Sequence, residues 1–233
     1  MTTIGMIVPP ADGAVPPEPP VLYPDLRFVA RGLALPELTP EGYDSVIDHV
    51  ADLAVQLKED GAEAVSLMGT SLSFYRGPAG NAQVLAAMQA ATDLPVTTMT
   101  ESVLDALRAF DAGRIAVATA YTDVVNGRLR DYLTHEGLEI LSLEALSLTD
   151  VKTIQSVGDA DLIALGTSAA RAAPEAEALF ISCGGLRTLS VIQPLEEALG
   201  IPVVSSATAG AWGAARLTGH SGQAAGYGRL FET

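Results

Sequence analysis

Two short segments of the chain resemble each other, and one of them contains the only cysteine. Ala64–Leu72 aligns without a gap on Ala178–Leu186, and each is an apolar run that breaks into small or hydroxyl-bearing residues. Cys183 lies opposite Gly69 in this alignment. If the two segments face one cleft, a thiol stands on one wall and no reactive group stands on the other. A proton would then reach a bound molecule from one face only.

The surroundings of Cys183 decide between a structural and a chemical role. A lone cysteine is most often a small buried apolar residue. Here it ends an apolar run and precedes Gly184, Gly185 and a helical pattern. Backbone amides at a strand-to-helix turn favour anions and can tune a thiol. The two glycines either form a plain turn or let a substrate approach backbone N–H donors closely.

Three hydroxyl groups follow predicted strands. Thr70 and Ser71 come directly after Gly69, where they either cap a helix or donate hydrogen bonds to a carboxylate. Tyr121 follows the predicted strand Arg114–Ala118, and it is either a core residue or a third donor to the same carboxylate.

An apolar wall is expected beside these donors. Pro9 and Pro10 hold the place in the first half that Tyr121 holds in the second, and they offer only apolar surface. Arg76 and Arg187 each follow a motif, and we expect both to be solvated residues on helix faces. The further candidates for the wall, each also compatible with a core position, are Leu35, Leu38, Tyr43, Leu72, Val151 and Ile154.

The elements that position these residues alternate between strands and helices. Most of the predicted strands are apolar without alternation, as in parallel strands covered on both faces. They are Ile4–Val8, Ala64–Met68, Val96–Met99, Arg114–Ala118, Glu139–Leu143, Ala178–Ser182 and Val203–Ser205. The predicted helices are 40–60, Asn81–Thr92, Glu101–Ala109, Asp123–Glu136, Asp159–Ala172 and Leu189–Leu199.

The repeats predict an α/β fold of two pseudo-symmetric halves with parallel sheets and a cleft between them. We assign residues 1–110 and 207–233 to the first half and 111–206 to the second. Ligands in open α/β sheets bind at the carboxyl ends of strands, and both repeat motifs stand there. The Pro-rich stretch Pro9–Pro24 is predicted to be a loop, either a surface segment or a lid over the cleft.

Composition narrows the class of protein. The 233 residues are 48% hydrophobic and carry a net charge of −15, which disfavours a nucleic-acid partner. One cysteine excludes an internal disulfide and a thiolate metal cluster, and the three histidines lack ligand spacing. We see no basic n-region of a signal peptide and no apolar run approaching about 18 residues. These features predict a cytoplasmic protein with no metal, no cofactor and no membrane span.

The chain resembles the aspartate/glutamate racemase superfamily and, within it, most closely the arylmalonate decarboxylase family. The resemblance runs almost end to end and is weakest over Glu144–Arg171. The segments that carry it are Gly5–Pro10, Leu22–Leu26, Thr39–Asp44, Val65–Gly77, Ala118–Tyr121, Ser182–Leu186 and Gly226–Phe231.

This resemblance implies a cofactor-free, enantioselective decarboxylation of α-aryl-α-alkyl malonates. A dioxyanion hole of Thr70, Ser71, Tyr121 and the backbone around Cys183, Gly184 and Gly185 would hold the retained carboxylate. The other carboxylate would sit in the apolar pocket and leave as CO2. Cys183, as a neutral thiol, would then protonate one face of the enediolate. The resemblance also implies a monomer that acts on a small dicarboxylate.

Two alternatives stay open at this level. One is another superfamily enzyme, such as an amino-acid racemase or a maleate isomerase, although these use a first-half cysteine at the position of Gly69. The other is a non-catalytic protein that binds small acids in the same cleft. Residue types alone do not give the physiological substrate, the hand of the product or the oligomeric state.

Overall fold

Eight parallel strands form two separate sheets with the same strand order. In the computed structural model, which describes residues 1–233, the first sheet runs β2-β1-β3-β4 and the second β6-β5-β7-β8. Each strand of the second sheet follows its counterpart by four positions in chain order, so the predicted two-half α/β fold is confirmed. The strands are β1 Thr3–Val8, β2 Arg27–Gly32, β3 Ala64–Leu67, β4 Val96–Thr98, β5 Arg114–Thr119, β6 Glu139–Ala145, β7 Ala178–Ser182 and β8 Val203–Ser205.

Helices flank and connect the strands. No helix is both long and apolar enough to cross a membrane. The helices are α1 Glu18–Leu22, α2 Pro40–Val46, α3 Val50–Glu59, α4 Thr70–Phe74, α5 Gly77–Thr92, α6 Met99–Ala109, α7 Asp123–His135, α8 Val151–Gln155, α9 Asp159–Ala172, α10 Ile192–Leu199 and α11 Ser206–Arg216, with 3₁₀ turns at Ile47–His49 and Arg229–Glu232.

Two predicted elements differ in the structure. The helix predicted over 40–60 is interrupted by the 3₁₀ turn Ile47–His49, next to β-branched residues that disfavour a regular helix. The stretch Pro9–Pro24 is not all loop, because it contains α1. Prolines fit there because the first N–H groups of a helix have no intrahelical acceptor.

The sequence analysis missed one strand, β2. It lies at the edge of the first sheet and pairs with β1 alone, from Thr3 with Arg27 to Val8 with Gly32. Arg27 and Arg31 are exposed, and Arg31 pairs with Asp60 at 2.7 Å. An edge strand with charged residues lacks the continuous apolar run that identified the central strands.

The C-terminal segment contacts both halves. Helix α11 packs mainly on α6 and α1, whereas the turn Arg229–Glu232 lies against the second half. There the Arg229 backbone N–H donates to Glu196 Oε2 at 3.0 Å, and the side chain donates to the carbonyl of Gly200 at 3.1 Å. The last residues of the chain therefore also contact the second half, and the division into 1–110 with 207–233 and 111–206 stays a prediction.

A buried amide joins the two halves away from the cleft. Asn81 of α5 donates to Glu101 of α6 at 2.6 Å and to the Tyr132 hydroxyl of α7 at 3.0 Å. Its carbonyl accepts from Thr98 at 3.0 Å. Asn81, Thr98 and Tyr132 are buried away from water. Their hydrogen bonds therefore fix α7 of the second half against the first.

Replacing this amide should destabilise the protein measurably. Asn81→Ala leaves two buried hydroxyls, of Thr98 and Tyr132, and the half-buried Glu101 carboxylate without it, and we expect a loss of about 2–4 kcal/mol in the free energy of unfolding. Gln83→Ala, on an exposed position of the same helix, is the matched control and should change stability by less than about 0.5 kcal/mol. Urea unfolding midpoints measure both. Equal midpoints for the two variants would contradict a joining role for Asn81.

Candidate active site

The carboxyl ends of strands from both sheets border one cavity of about 220 Å³. The end of β1 contributes Val8, Pro9 and Pro10, the end of β3 contributes Met68–Ser71, and the end of β7 contributes Cys183–Gly185. The sheet topology places the two repeat motifs in equivalent positions, after β3 and after β7. Gly69 and Cys183, which are aligned in the sequence, therefore border one cavity at equivalent strand ends.

Cys183 is held in an unusual backbone conformation. Its φ of 144° lies in a region that L-residues rarely adopt, directly after β7. Its backbone N–H donates to Ser206 Oγ at 3.1 Å, and its carbonyl accepts from Leu186 N–H at 3.2 Å. Ser206 begins α11, so the start of that helix fixes the thiol-bearing residue. Local strain of this kind is typical of functional sites.

The Cys183 thiol is a weak acid in this position. Burial raises its pKa from 9.0 to about 11, although the backbone N–H groups of Gly185 and Leu186 and the Tyr121 hydroxyl oppose the shift. The residue is 4% exposed. At neutral pH the sulfur therefore carries its proton and can donate it, while three hydrogen-bond donors surround it to stabilise the thiolate that this leaves.

The facing position, Gly69, has ordinary backbone geometry. Its φ of −146° is extended, so no turn requires glycine there. A Cβ added at Gly69 would meet the Cδ1 end of Leu72 at 2.7 Å, a contact that the flexible side chain can relieve. The backbone therefore does not require glycine at this position. The wall lacks a side chain because the residue itself is glycine.

Thr70 and Ser71 border the cavity as the first residues of α4. The N-cap of this helix is Gly69, with no side-chain cap hydrogen bond, so neither hydroxyl serves as a cap. Thr70 Oγ1 lies 3.0 Å from the sulfur of Met99, a weak acceptor. Both hydroxyls are therefore available to a stronger acceptor in the cavity.

Two tyrosines stand behind this wall and do not line the cavity. Tyr121 is fully buried, and its hydroxyl lies close to Ser71, to Ser182 Oγ at 3.5 Å and to the Cys183 thiol. Tyr43 is also buried, and its hydroxyl makes no hydrogen bond of good geometry, although Ser71 is adjacent. Burial raises the pKa of both phenols, so both remain neutral donors.

The predicted apolar wall is largely present. Leu35 and Leu38, from the segment after β2, and Val151 and Ile154 of α8 all border the cavity. Leu38 N–H donates to the Thr149 carbonyl at 3.1 Å, which ties the two apolar segments together across the halves. Leu72, predicted for this wall, is not among the residues that border the cavity, and it lies next to the position that a Cβ on Gly69 would take.

Twelve of the fifteen predicted site residues border the cavity, and Tyr43, Leu72 and Tyr121 form a layer behind it. The sequence analysis missed several lining residues. Arg187, predicted to be a solvated helix residue, is exposed but also borders the cavity, in a turn that precedes α10. The other missed residues are Val8, Asp12, Ala14, Val15, Pro16, Pro17, Glu18, Met68, Met99, Gln155 and Ala207.

The missed residues carried no distinct signal in the sequence. Glu18 lies within the Pro-rich stretch, where only its place after the end of β1 hints at the cavity. Met99 reaches it from a neighbouring helix, and a Cβ on Gly184 would meet its sulfur at 2.8 Å. No group of three or more His, Cys, Asp or Glu side chains is arranged to hold a metal ion.

Comparison with known proteins identifies close relatives. The family model described as arylmalonate decarboxylase matches residues 4–231. The chain is 52% identical over 231 residues to arylmalonate decarboxylase of Bordetella bronchiseptica, which covers 99% of this chain and 96% of that protein. It is 27% identical over 238 residues to the maleate isomerase of Nocardia farcinica, with 97% and 94% of the two chains covered.

Solved structures agree with these relationships. A liganded double variant of arylmalonate decarboxylase, in which a glycine is replaced by cysteine and a cysteine by serine, superimposes with a TM-score of 0.98. It is 51% identical and covers 100% of this chain and 99% of that one. The maleate cis-trans isomerase of Nocardia farcinica bound to TRIS shares the fold, with a TM-score of 0.90 at 24% identity and coverage of 99% and 98%.

The raised pKa of the thiol has a direct spectroscopic consequence. Because the folded protein favours the protonated thiol, thiolate absorbance near 240 nm should be absent at pH 7–9 and should rise toward a midpoint near pH 11. The Cys183→Ala variant contains no cysteine, so subtracting its spectrum removes the absorbance of ionised tyrosines. The unfolded chain should titrate near 9. A native midpoint at or below 8 would contradict a proton-donating thiol.

Proposed function

The chain belongs to the arylmalonate decarboxylase family and is a decarboxylase, and from that premise we propose how its own residues perform the reaction. The single observation that supports the proposal is the placement of one neutral thiol, at Cys183, opposite the bare wall at Gly69. Hydrogen-bond donors stand on one side of this pair and apolar side chains on the other. The substrate class that fits is an α-aryl-α-alkyl malonate.

The donors hold the carboxylate that stays. Thr70 and Ser71 present their hydroxyls to the cavity, and the backbone of Gly184 and Gly185 approaches it without a side chain between. Tyr121 acts from the layer behind, through contacts with Ser71 and the thiol. When CO2 departs, the retained carboxylate becomes an enediolate with more negative charge on its oxygens. Fixed donors favour that state over the ground state because they need no reorganisation.

The apolar wall acts on the carboxylate that leaves. Leu35, Leu38, Val151 and Ile154 offer it no hydrogen bond, and an ionised group in such surroundings is costly. Loss of CO2 removes that charge and relieves the cost. The aryl group delocalises the electron pair left on the α-carbon. No step calls for a cofactor.

Protonation then sets the stereochemistry. The protonated Sγ of Cys183 donates to the α-carbon from its own side, and the resulting thiolate is held by the Gly185 and Leu186 amides and the Tyr121 hydroxyl. Gly69 supplies no acid on the opposite face. The product should therefore be a single enantiomer. We keep a monomeric, cytoplasmic protein as a prediction.

The alternatives from the sequence are weakened by the same observations. The maleate isomerase relatives share the fold. This chain, however, has glycine at position 69 and therefore lacks a first-half cysteine. Because the chain belongs to a decarboxylase family, a non-catalytic binding function is not needed to explain the cleft.

The reaction can be measured directly. Purified protein, without added metal or cofactor, should release CO2 from α-methyl-α-phenylmalonate and give one enantiomer on a chiral column. Cys183→Ala should lose at least about 10²-fold in kcat, the range for removal of a general acid, while substrate still raises its Tm. No CO2 release by the wild-type protein would contradict the arylmalonate assignment. Equal activity of the variant would contradict the role of the thiol.

Adding a second acid should abolish the stereochemical bias. Gly69→Cys places a thiol on the facing wall once Leu72 shifts, so a single enantiomer of an α-aryl propionate should racemise in its presence, as followed by chiral chromatography. The double variant Gly69→Cys with Cys183→Ser is the matched control, since its only thiol lies on the opposite wall. It should form the opposite enantiomer from the malonate. An optically pure acid left unchanged by Gly69→Cys would contradict the facing-wall geometry.

A further inference from the structure

Three charged side chains border the cavity, namely Asp12, Glu18 and Arg187, and the reaction proposed above uses none of them; Asp12 is exposed. Glu18 is the first residue of α1 and is only 5% exposed. Arg187 follows Cys183 by four residues and borders the same cavity. The two are close enough for the guanidinium to lower the pKa of Glu18, although burial, the larger effect, raises it. We call these two residues the Glu18–Arg187 pair.

The carboxylate of Glu18 makes no hydrogen bond or ion pair with another side chain. Arg187 is near enough to lower its pKa by charge alone. A carboxylate buried to this degree is costly unless its oxygens are paired. Because the residue borders the cavity, a molecule in the cavity can supply the missing donor.

The part of the substrate that reaches Glu18 follows from the other walls. The donors at Thr70, Ser71 and Gly184–Gly185 take one carboxylate, and the apolar wall takes the other. The lining residues that neither carboxylate uses include the continuous segment Ala14–Glu18 and Arg187. The largest remaining substituent of an arylmalonate is its aromatic ring. We place the ring against that segment, where Glu18 and Arg187 supply buried and exposed charge within one cavity.

We propose that Glu18 is a specificity-determining residue that accepts a hydrogen bond from the aromatic ring of the substrate. The preferred substrates are then arylmalonates whose ring carries a donor, such as a phenolic hydroxyl or an aromatic amino group. This inference rests on the proposed function and identifies a narrower substrate class for the same site. Arg187 favours the ionised form of Glu18, which makes the carboxylate a stronger acceptor.

The test compares ring substituents that have similar electronic effects but differ in whether they can donate a hydrogen bond. We would measure kcat/KM for α-methyl malonates that carry phenyl, meta- and para-hydroxyphenyl, and the corresponding methoxyphenyl groups. A hydroxyl and a methoxy group act similarly on the carbanion, yet only the hydroxyl donates a hydrogen bond. At least one hydroxyphenyl compound should exceed its methoxy partner by about tenfold or more, as expected for a donor that satisfies a buried charged acceptor.

Variants of Glu18 assign the preference to that carboxylate. In Glu18→Leu the hydroxy-to-methoxy ratio should fall to near one, and Glu18→Gln, which keeps an amide oxygen as a neutral acceptor, should fall between. Glu37→Gln removes an exposed carboxylate outside the cavity, and it should keep the wild-type ratio. Thermal unfolding of each variant separates a loss of folding from a change in the ratio.

The outcomes separate this inference from the proposed function. Turnover of the phenyl compound with no preference for either hydroxyphenyl compound would overturn the inference alone. A preference that survives in Glu18→Leu would also overturn it, because another group would then be the acceptor. No CO2 from any of the five compounds would overturn the proposed function and this inference with it. If Glu18→Leu does not fold, Glu18→Gln decides, because an unchanged ratio in that variant would overturn the inference.

Discussion

Burial at the cavity between the two sheets is the constraint on which the proposed chemistry depends, since Cys183, Thr70, Ser71, Leu35 and Ile154 are all buried there. It raises the pKa of the Cys183 thiol, so the sulfur keeps the proton that the reaction needs. It also makes a carboxylate against Leu35 and Ile154 costly and the donors at Thr70 and Ser71 effective. One physical condition thus supports both the departure of CO2 and the delivery of the proton.

That condition requires two half-domains to stay closed on each other. Helices α6 and α11 pack together between the sheets, and α11 begins at Ser206, whose hydroxyl accepts from the Cys183 backbone. On the cavity side, Leu38 N–H binds the Thr149 carbonyl. On the far side, Asn81 bonds across to Tyr132. The contacts that hold the two halves together are therefore also the contacts that bury the site residues and fix the thiol.

The proposed stereochemistry rests on one difference between the two pseudo-symmetric halves. Equivalent strand ends after β3 and β7 face the same space, so two facing acids are geometrically available. This chain has a thiol at one and a glycine at the other, and the extended backbone at Gly69 does not demand that glycine. In the proposed reaction, selectivity comes from an absent side chain, which distinguishes this arrangement from a site with an acid on each face.

The central strands, the two halves and the residues of the motifs were readable from the sequence. Buried parallel strands are continuous apolar runs, and a repeated strand-end motif implies a repeated position, so Gly69 and Cys183 were matched without coordinates. Strand β2 and the helix α1 were not found, because an edge strand tolerates charge and prolines at a helix start look like a loop. The layer that holds Tyr43, Leu72 and Tyr121 behind the cavity wall was likewise not separable from the wall by residue type.

The sequence by itself determined which groups are available: one thiol, its bare counterpart, the hydroxyls beside them and the glycines that leave the backbone uncovered. Only the tertiary structure decided how these groups behave, since the pKa of Cys183 depends on burial and on the nearby Gly185, Leu186 and Tyr121. The same holds for Glu18 and Arg187, which are distant in sequence and become neighbours only because the Pro-rich segment folds over the cavity. Local patterns encode the type of a residue and the element that carries it, whereas its solvation and its partners are set by the whole fold.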